Sequence, residues 1–484
     1  MKRISIIIVL LAGLCFSCSD DFLETKPTDQ IDANEVFKTA AGAQTVLDGI
    51  SRSLRVAPIA SRDDWFGVKS FDIMWDLMGD DIVCTQQGWF IYDYQLDYRM
   101  AYWARCSYPW TLYYQVINNA NNILAHAETI PFESDSQRAG ILGQALAYRA
   151  WAYFNLVNIY QFTYIGHESA PGVPVYTEPT TSGNGRGTVQ NVYDRITADL
   201  GEAIDLMTEN PSPRRHISDI DLSVAHGIYA RVALQMGNWA RAETEAATAR
   251  QSYSLNTRSD FASGFSVYSR SVWMWGMEIN NEQSTGYGSF PSHMDMTING
   301  YAGSGSMPKY ISIALYNMMA DDDIRKQLCE AYDDGSAIHY INYKFNASLS
   351  GKSFAADQVL MRPEEMLLIQ AEAIARQGGR DTDAQALLND LHAVRQVTPV
   401  PVTSTGTALL DSILLERRFE LWGEGFRGRD IKRLKIALDR TGSDHDQALC
   451  LYMTAEPESV LWNYQIPQSE IDANPNMDES DQND

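Results

Sequence analysis

The sequence lacks the short motifs that mark common hydrolases and metal centres. It has no H-E-x-x-H zinc motif and no G-x-S-x-G nucleophile turn, and its eight histidines show no ligand spacing. Beyond the first 18 residues its cysteines form no C-x-x-C pair, so no zinc or redox site is indicated. We interpret the four later cysteines as buried thiols; they are Cys84, Cys106, Cys329 and Cys450. We expect no cofactor; a structural Ca²⁺ is left open, although no D-x-D-x-D-G loop is present.

Positive charge is scarce as well. The chain carries 38 Lys and Arg against 62 Asp and Glu, a net charge of −24. Binding to nucleic acid depends on Lys and Arg that neutralise phosphates. The composition therefore argues against a nucleic-acid partner.

Long apolar runs are absent except at the start of the chain. Ile4–Leu14 is an almost unbroken apolar run of 11 residues, preceded by Lys2 and Arg3. It is shorter than the roughly 20 apolar residues that span a bilayer, but it fits the apolar part of a secretory signal. Acidic residues follow it, where an anchor would carry positive charge. We predict a signal peptide over residues 1–17 and no membrane span elsewhere.

A cysteine stands at the end of this run. Cys18 directly follows the small residue Ser17, and this arrangement resembles the lipobox of bacterial lipoproteins. The resemblance implies that Cys18 becomes the first residue of the mature chain and is acylated. Ser19-Asp20-Asp21 resembles the signal that sends some lipoproteins to the outer face of the cell. Two or more acyl chains hold a protein stably at a membrane. A free cysteine near a signal cut is the alternative.

The rest of the chain is rich in helical periodicity. Segments such as "YYQVINNANNILAHAETI", "GQALAYRAWAYFNLVNIY" and "PEEMLLIQAEAIARQ" place apolar residues at three- and four-residue steps. Two helix pairs, at Gly237…Ala242 and Gly379…Ala384, have a Gly in the turn and an Ala five residues later. A tetratricopeptide (TPR) repeat needs this spacing, because the Gly permits the bend and the Ala lets the helices approach. Generic helical hairpins are the alternative.

The helical period fades between about residues 261 and 356. "NNEQSTGYGSFPSHMDMTINGYAGSGSMP" is typical of long ordered loops, and loops of this length are usually functional or disordered. We therefore predict a mainly α domain over residues 18–484. Its TPR-like scaffold covers about 33–260 and 357–440, and a loop-rich excursion covers about 261–356. The acidic tail is expected to fray.

Aromatic residues are concentrated in one stretch, Trp89–Tyr114, which holds 11 of them in 26 residues. Trp89, Phe90 and Tyr92 follow "GDDIVCTQQG" in a part without helical period. Exposed flat rings beside amides and carboxylates suit a ligand with apolar faces and polar edges, such as a sugar or a peptide. Packing in the folding core is the alternative for these three rings.

Three glutamates follow one another at steps of four: Glu416, Glu420 and Glu424. On one helical face such like charges destabilise each other unless cations accompany them. We interpret them as part of a partly buried ion-pair network with neighbouring charged residues, namely Arg417, Arg418, Arg427 and Asp430. A glycosidase acid and base pair is the alternative.

Several stretches together resemble the SusD/RagB family of surface lipoproteins. They are, in chain order, "CSDDFLETKPTDQI", "ALAYRAWAYFNLVNIY", "VLMRPEEMLLIQAEAIAR", "ERRFELWGEGFRGRDIKR" and "YQIPQSEIDANPNM". In the third stretch the family's pattern falls on Arg362, Glu365, Met366, Leu368, Ala371, Glu372 and Ala373. The matches extend over nearly the whole chain. The acidic end "DESDQND" departs from the family's usual ending.

The resemblance implies a mostly helical TPR scaffold with a large irregular excursion. Members sit on the outer membrane and cover a SusC-like TonB-dependent barrel transporter. They capture oligosaccharides, or peptides in some members, on aromatic residues of the loop after the early "GDD" and of the middle excursion. Carried onto this chain, the resemblance nominates Trp89, Phe90 and Tyr92, with Tyr287, Phe290 and His293 opposite.

We therefore expect a glycan-binding lipoprotein that is not an enzyme, anchored in the outer membrane and facing the cell exterior. It would deliver oligosaccharides to a SusC-like transporter. Peptide capture by the same kind of protein is one alternative. A carboxylate-dependent glycoside hydrolase and a TPR module that binds only protein are alternatives from other classes.

Overall fold

The computed structural model describes residues 33–58 and 61–483. The predicted signal peptide, residues 1–17, and the predicted lipidation site, Cys18, lie outside these ranges. None of the helices in the described part of the chain combines the length and the hydropathy that a bilayer span requires.

Long helices make up the scaffold. They are α1 (Ala40–Ser53), α2 (Val68–Leu77), α3 (Ala104–Ala125), α4 (Asp135–Tyr160), α5 (Val189–Glu209), α6 (Leu222–Met236), α7 (Trp239–Arg250), α8 (Pro363–Gln377), α9 (Asp381–Ala393) and α10 (Gly406–Glu420). Shorter α-helices are Ala33–Val36, Ile91–Tyr94, Arg258–Phe261, Phe290–Met294, Ile313–Met318, Ile324–Gln327, Arg427–Leu434, Gln447–Cys450 and Gln468–Ala473. Single 3₁₀ turns occupy Tyr268–Arg270, Asn281–Gln283, Ala347–Leu349, Ser353–Ala355, Val460–Trp462 and Glu479–Asp481.

Helical hairpins form where the sequence predicts them. The chain leaves α6 through Gly237, whose φ of 70° is left-handed. Ala242 on α7 is fully buried, and so is Ala384 on α9. Small buried residues let antiparallel helices pack closely, as a TPR repeat requires. The predicted mainly α, TPR-like fold is confirmed.

The hydrophobic core is centred on α4. This helix is buried on nearly all sides, from Ala139 to Tyr160, and packs against α3 and α5. A helix that is apolar all round belongs in a core rather than at a surface. Cys84, Cys106 and Cys450 are buried free thiols and Cys329 is partly buried, in agreement with the sequence interpretation.

Short antiparallel strands join the region after α7 to segments near the start and the end of the chain. One sheet has the order β1-β3-β5-β4, formed by β1 (Ile82–Cys84), β3 (Lys309–Ile311), β4 (Cys329–Asp333) and β5 (Ile338–Asn342). Two further pairs join β2 (Trp275–Met277) to β6 (Gln358–Met361) and β7 (Leu438–Asp439) to β8 (Thr454–Ala455). The strands have two to five residues each, too few to show as a period of two in the sequence.

The three glutamates belong to a buried ion-pair network, as predicted, but their partners are not the predicted neighbours. Arg417 pairs with Asp430 instead, Arg418 with Asp81 and Arg427 with Asp80. Glu420 lies at its centre and accepts hydrogen bonds from Arg362 at 2.5 Å and from Arg395 at 2.7 Å. Glu424 accepts from Arg362 at 2.8 Å and from Lys344 at 2.5 Å. Burial by itself would raise the pKa of Glu424, but Arg362 and Lys344 outweigh it and lower that pKa to about 2. These carboxylates are therefore ionised and fully engaged.

The network joins the scaffold to the segment after α7. Arg325, which precedes β4, donates to Glu416 at 2.8 Å and to Glu420 at 3.2 Å on α10. On the other face of α10, Arg418 donates to Asp81 at 2.6 Å, directly before β1. Helix α10 thus fixes the segments that directly precede β1 and β4.

The acidic tail is packed, so the prediction of fraying is wrong. Asn483 donates to the carbonyl oxygen atoms of Tyr160 and Tyr464 at 2.6 and 2.8 Å. Gln482 donates to the carbonyl oxygen of Ile466 at 2.8 Å, and Arg186 donates to that of Asp481. Amide side chains that satisfy buried backbone carbonyls hold this segment in place.

We expect Glu420→Gln to lower the free energy of unfolding by about 3–5 kcal/mol, because it leaves buried guanidinium groups without their counter-charge. Urea unfolding followed by circular dichroism measures this. Glu202→Gln, on the exposed side of α5, is the matched control and should change stability by less than about 0.5 kcal/mol. Equal effects of the two substitutions would contradict a structural role for the network.

Candidate functional site

The pairing of β1 with β3 creates the candidate site. Ile82 lies opposite Ile311 and Cys84 opposite Lys309, so the loop after β1 runs beside the segment before β3. A Cβ on Gly88 would lie 3.1 Å from the Met307 side chain, which shows how closely the two segments approach. Residues far apart in the chain, such as Gly88 and Met307, thus share one surface.

Three aromatic side chains reach this surface: Trp89, Tyr287 and Tyr301. We call them the aromatic patch. Tyr287 is 48% exposed, and the other two are partly exposed. The rings of Tyr287 and Tyr301 meet at 5.5 Å between centroids and 66° between planes. Such an edge-to-face contact leaves part of each ring face open to a ligand.

Two charged residues border the aromatic patch. The guanidinium carbon of Arg62 lies 5.6 Å from the centroid of the Trp89 ring. The Tyr301 hydroxyl donates to Asp63 Oδ2 at 2.5 Å. Burial and this hydrogen bond to Asp63 both raise the pKa of Tyr301, so its hydroxyl keeps its proton at neutral pH. The patch therefore combines ring faces with hydrogen-bonding groups of both signs.

A stack of buried rings supports the patch from below. His293 lies parallel to Tyr301 at 4.9 Å and to Phe66 at 5.5 Å, and it meets Phe90 edge-on at 5.0 Å. Burial and the nearby Lys309 ammonium lower the pKa of His293 well below its usual range. The ring is therefore neutral, and its Nε2–H donates to the carbonyl oxygen of Asp63 at 2.8 Å. The stack fixes both Tyr301 and the Asp63 backbone.

The six residues that the sequence nominates as ligand-binding differ in their exposure to solvent. Trp89 and Tyr287 have accessible rings, but Phe90 and His293 are fully buried and Phe290 is 4% exposed. Each of these side chains packs against other aromatic rings in the core: Phe90 against His293, and Phe290 against Phe345. The expectation of an exposed ring is wrong for Phe90, and Phe290 and His293 likewise lie beneath the surface.

Tyr92 is also removed from the surface, with 8% exposure. Its hydroxyl donates to the carboxylate of Asp64, and its ring lies parallel to Tyr98 at 5.3 Å. Tyr98 in turn stacks on Trp103 at 4.0 Å. This row of rings is linked to the patch through Arg62, which donates to Asp64 at 2.7 Å.

Sequence reasoning missed Tyr301, Arg62 and Asp63. Tyr301 lies in "NGYAGSGS", a Gly- and Ser-rich loop with one aromatic residue, and that is a signal for a ring in an ordered loop. Arg62 and Asp63 carry no comparable signal, because only the tertiary fold brings them to Trp89 and Tyr301. In the described ranges, no group of three or more His, Cys, Asp or Glu side chains is arranged to hold a metal ion.

We expect Phe90→Ala to destabilise the protein by about 3–5 kcal/mol, because it removes a buried ring from the supporting stack. Trp89→Ala, at the neighbouring position, should cost less than about 1.5 kcal/mol, because that ring is partly exposed. Thermal unfolding of the two variants checks this. If Trp89→Ala proves as destabilising as Phe90→Ala, the distinction between patch and support is incorrect.

Two family models match the chain in succession. The model described as "Starch-binding associating with outer membrane" matches residues 21–234, and the model described as "SusD family" matches residues 271–484. Two relatives come from Formosa agariphila. SusD-like protein P38 is 25% identical over 91% of this chain and 93% of its own, and SusD-like protein P2 is 24% identical over 90% and 91%.

Solved structures resemble the chain over nearly its whole length. A SusD-like carbohydrate binding protein from Bacteroides vulgatus superposes with a TM-score of 0.80 at 27% identity, covering 92% of this chain and 98% of that one. Surface glycan-binding protein A from Bacteroides thetaiotaomicron, in complex with laminarihexaose, has a TM-score of 0.67 at 17% identity, covering 90% and 98%. The second likeness is one of fold.

Proposed function

This chain belongs to the SusD/RagB family, and on that premise we propose that it captures oligosaccharides at the cell surface by means of the aromatic patch. The observation that carries the proposal is the arrangement of Trp89, Tyr287 and Tyr301 beside Arg62 and Asp63. Sugar rings have apolar faces that pack on aromatic rings and hydroxyl groups at their edges. Asp63 accepts hydrogen bonds from such hydroxyls, and Arg62 donates to them.

The site is suited to ligands that bind and leave. The rings of the patch are exposed or partly exposed, and their faces form neither covalent bonds nor ion pairs with a neutral sugar. Each ring contributes through the apolar area that it buries against the sugar. Several such contacts retain an oligosaccharide while each remains weak enough to break. Capture of this kind serves import rather than storage.

We propose binding without cleavage. The glutamates that the sequence offered as an acid and base pair are buried and bound to arginines: Glu416 to Arg325, and Glu420 to Arg362 and Arg395. A general acid in a glycosidase must hold a proton at working pH and touch the glycosidic oxygen. Burial by itself would raise the pKa values of Glu416 and Glu420, but the arginines outweigh it and lower them. Neither carboxyl group therefore holds the proton that a general acid needs.

The proposed cellular setting follows from the family and the start of the sequence. Acyl chains on Cys18 would tether the protein to the outer membrane, facing the cell exterior. A tether raises the effective concentration of the binder near its transporter, which we propose to be a SusC-like TonB-dependent barrel. The description of the first family model, which names association with the outer membrane, supports this location.

Glycan binding should depend on the patch. We expect Trp89→Ala and Tyr287→Ala each to weaken binding to the preferred oligosaccharide about tenfold, equivalent to about 1.4 kcal/mol. A panel of soluble starch, laminarin, xylan and pectin in affinity gels identifies the ligand, and isothermal titration measures its affinity. Tyr452→Ala removes a tyrosine of similar exposure, 40% against 48% for Tyr287, outside the patch and should leave affinity unchanged.

The same panel separates the alternatives. Unchanged affinity in both patch variants would exclude this surface as the site. Release of reducing ends from any glycan would favour a hydrolase, and binding confined to peptide mixtures would favour peptide capture.

The tether is tested separately. We expect Cys18→Ala to shift the protein from the membrane fraction to the soluble fraction, because it removes the attachment point of the acyl chains. Mass spectrometry of the purified native protein should show a lipid-modified N-terminal cysteine. Cys329→Ala, at a partly buried thiol, is the control and should stay in the membrane fraction. An unmodified thiol at position 18 would refute the tether.

A further inference from the structure

A second cleft lies on the outer side of α3. It is bounded by α3, by the loop over residues 173–190 and by the C-terminal helix Gln468–Ala473. Its volume is about 400 Å³, within the range of about 300–1,000 Å³ found for small-molecule sites. None of the residues that line it belongs to the aromatic patch.

Aromatic rings form one wall of this cleft. Trp110 and Tyr114 project from successive turns of α3, with their centroids 4.8 Å apart. Tyr176, from the loop, meets Tyr114 edge-on at 5.8 Å. The polar atoms of the two α3 rings are anchored, since Trp110 Nε1 donates to Glu470 at 3.2 Å and the Tyr114 hydroxyl donates to the Pro174 carbonyl at 2.8 Å. The wall is therefore preformed.

Hydrogen-bonding groups make up the rest of the lining, which we call the rim. The rim carries two carboxylates, Glu178 and Glu470, the amide of Asn118, and the exposed hydroxyl-bearing residues 180–182. Glu470 uses one oxygen for Trp110 and the other for Asn474, at 2.8 Å, which orients the carboxylate and leaves lone pairs for a ligand. Among the described residues that line the cleft there is no Lys, Arg or His. An anionic ligand would therefore be disfavoured.

Contacts between the loop and the tail hold the cleft open. Asn476 Nδ2 donates to the carbonyl oxygen of Gly183 at 2.5 Å, and Asn474 Nδ2 donates to that of Asn184 at 2.9 Å. A Cβ on Gly183 would lie 2.0 Å from Asn474 Oδ1, so only glycine permits this approach. The segment around Asn474 and Asn476, after the C-terminal helix, thus holds the loop in place, and Asn474 itself lines the cleft.

We propose that this cleft is a second ligand site, which takes an uncharged, hydroxyl-rich ligand of about one or two sugar rings. Trp110, at 6% exposure, packs against Tyr114 and supports it, and Tyr114 and Tyr176, which are partly exposed, receive the apolar face of the sugar. Glu470, Glu178 and Asn118 accept hydrogen bonds from its hydroxyl groups, which carboxylates bind more strongly than neutral acceptors do. The site goes beyond the function proposed for the patch and does not depend on it.

The test uses the full chain with the patch weakened by Trp89→Ala and Tyr287→Ala, so that binding at the second site dominates. Maltose, cellobiose and lactose serve as uncharged probes and galacturonic acid as the anionic probe, followed by saturation-transfer NMR. Asn118→Arg places a long cation across the cleft from an exposed position on α3. Gln115→Arg makes the same change at an exposed α3 position that does not line the cleft and is the matched control.

We expect at least one uncharged disaccharide to saturate the protein and galacturonic acid to give no signal. Asn118→Arg should weaken that binding at least about tenfold, and Gln115→Arg should leave it unchanged. The proposal is overturned if none of the three disaccharides saturates the protein by about 10 mM, which corresponds to a binding free energy weaker than about 3 kcal/mol. It is also overturned if the two arginine variants have equal effects. Either result leaves the function proposed for the patch untouched.

Discussion

The position of α10 is the constraint on which the candidate site depends. Its glutamates draw Arg325 of the excursion and Arg362 and Arg395 of the scaffold into one buried network. On its other face, Arg418 holds Asp81 at the entry to β1. These ion pairs bring β1 and the β3-β5-β4 strands to one place, so that the loops carrying the aromatic patch meet. A buried network of this kind is costly to break, because removing one partner leaves the other charge buried without a counter-charge and without solvent.

The aromatic residues around the site do two different things. His293 stacks on Phe66 and meets Phe90 edge-on in the core, and these contacts hold the loops in place. Trp89 and Tyr287 stand above them with accessible faces. Rigid support lowers the entropy lost when a ligand orders the site, so the buried rings contribute to binding without touching the ligand. The aromatic residues of these loops in this chain thus have two physical roles.

The sequence predicts the scaffold well because helices and their turns are local. The Gly237 and Ala242 spacing, the glutamates at steps of four and the family's stretches all depend on residues close together in the chain. The site is harder to predict, because a loop without a hydrophobic period does not show which aromatic ring faces solvent. Phe90 and Trp89 are neighbours in sequence, yet one is fully buried and the other partly exposed. Tyr301 and Asp63 meet only through a strand pairing between distant segments, and the packing of the tail depends on equally distant carbonyls.

The central claim is that the surface formed by Trp89, Tyr287 and Tyr301 receives a sugar ring. A crystal structure of the protein with the oligosaccharide that binds it tests this most directly. The account predicts a sugar ring packed on Trp89 or Tyr287, with a hydroxyl group within hydrogen-bonding distance of Asp63 or Arg62. A well-ordered oligosaccharide bound elsewhere, with these rings left bare, would contradict it.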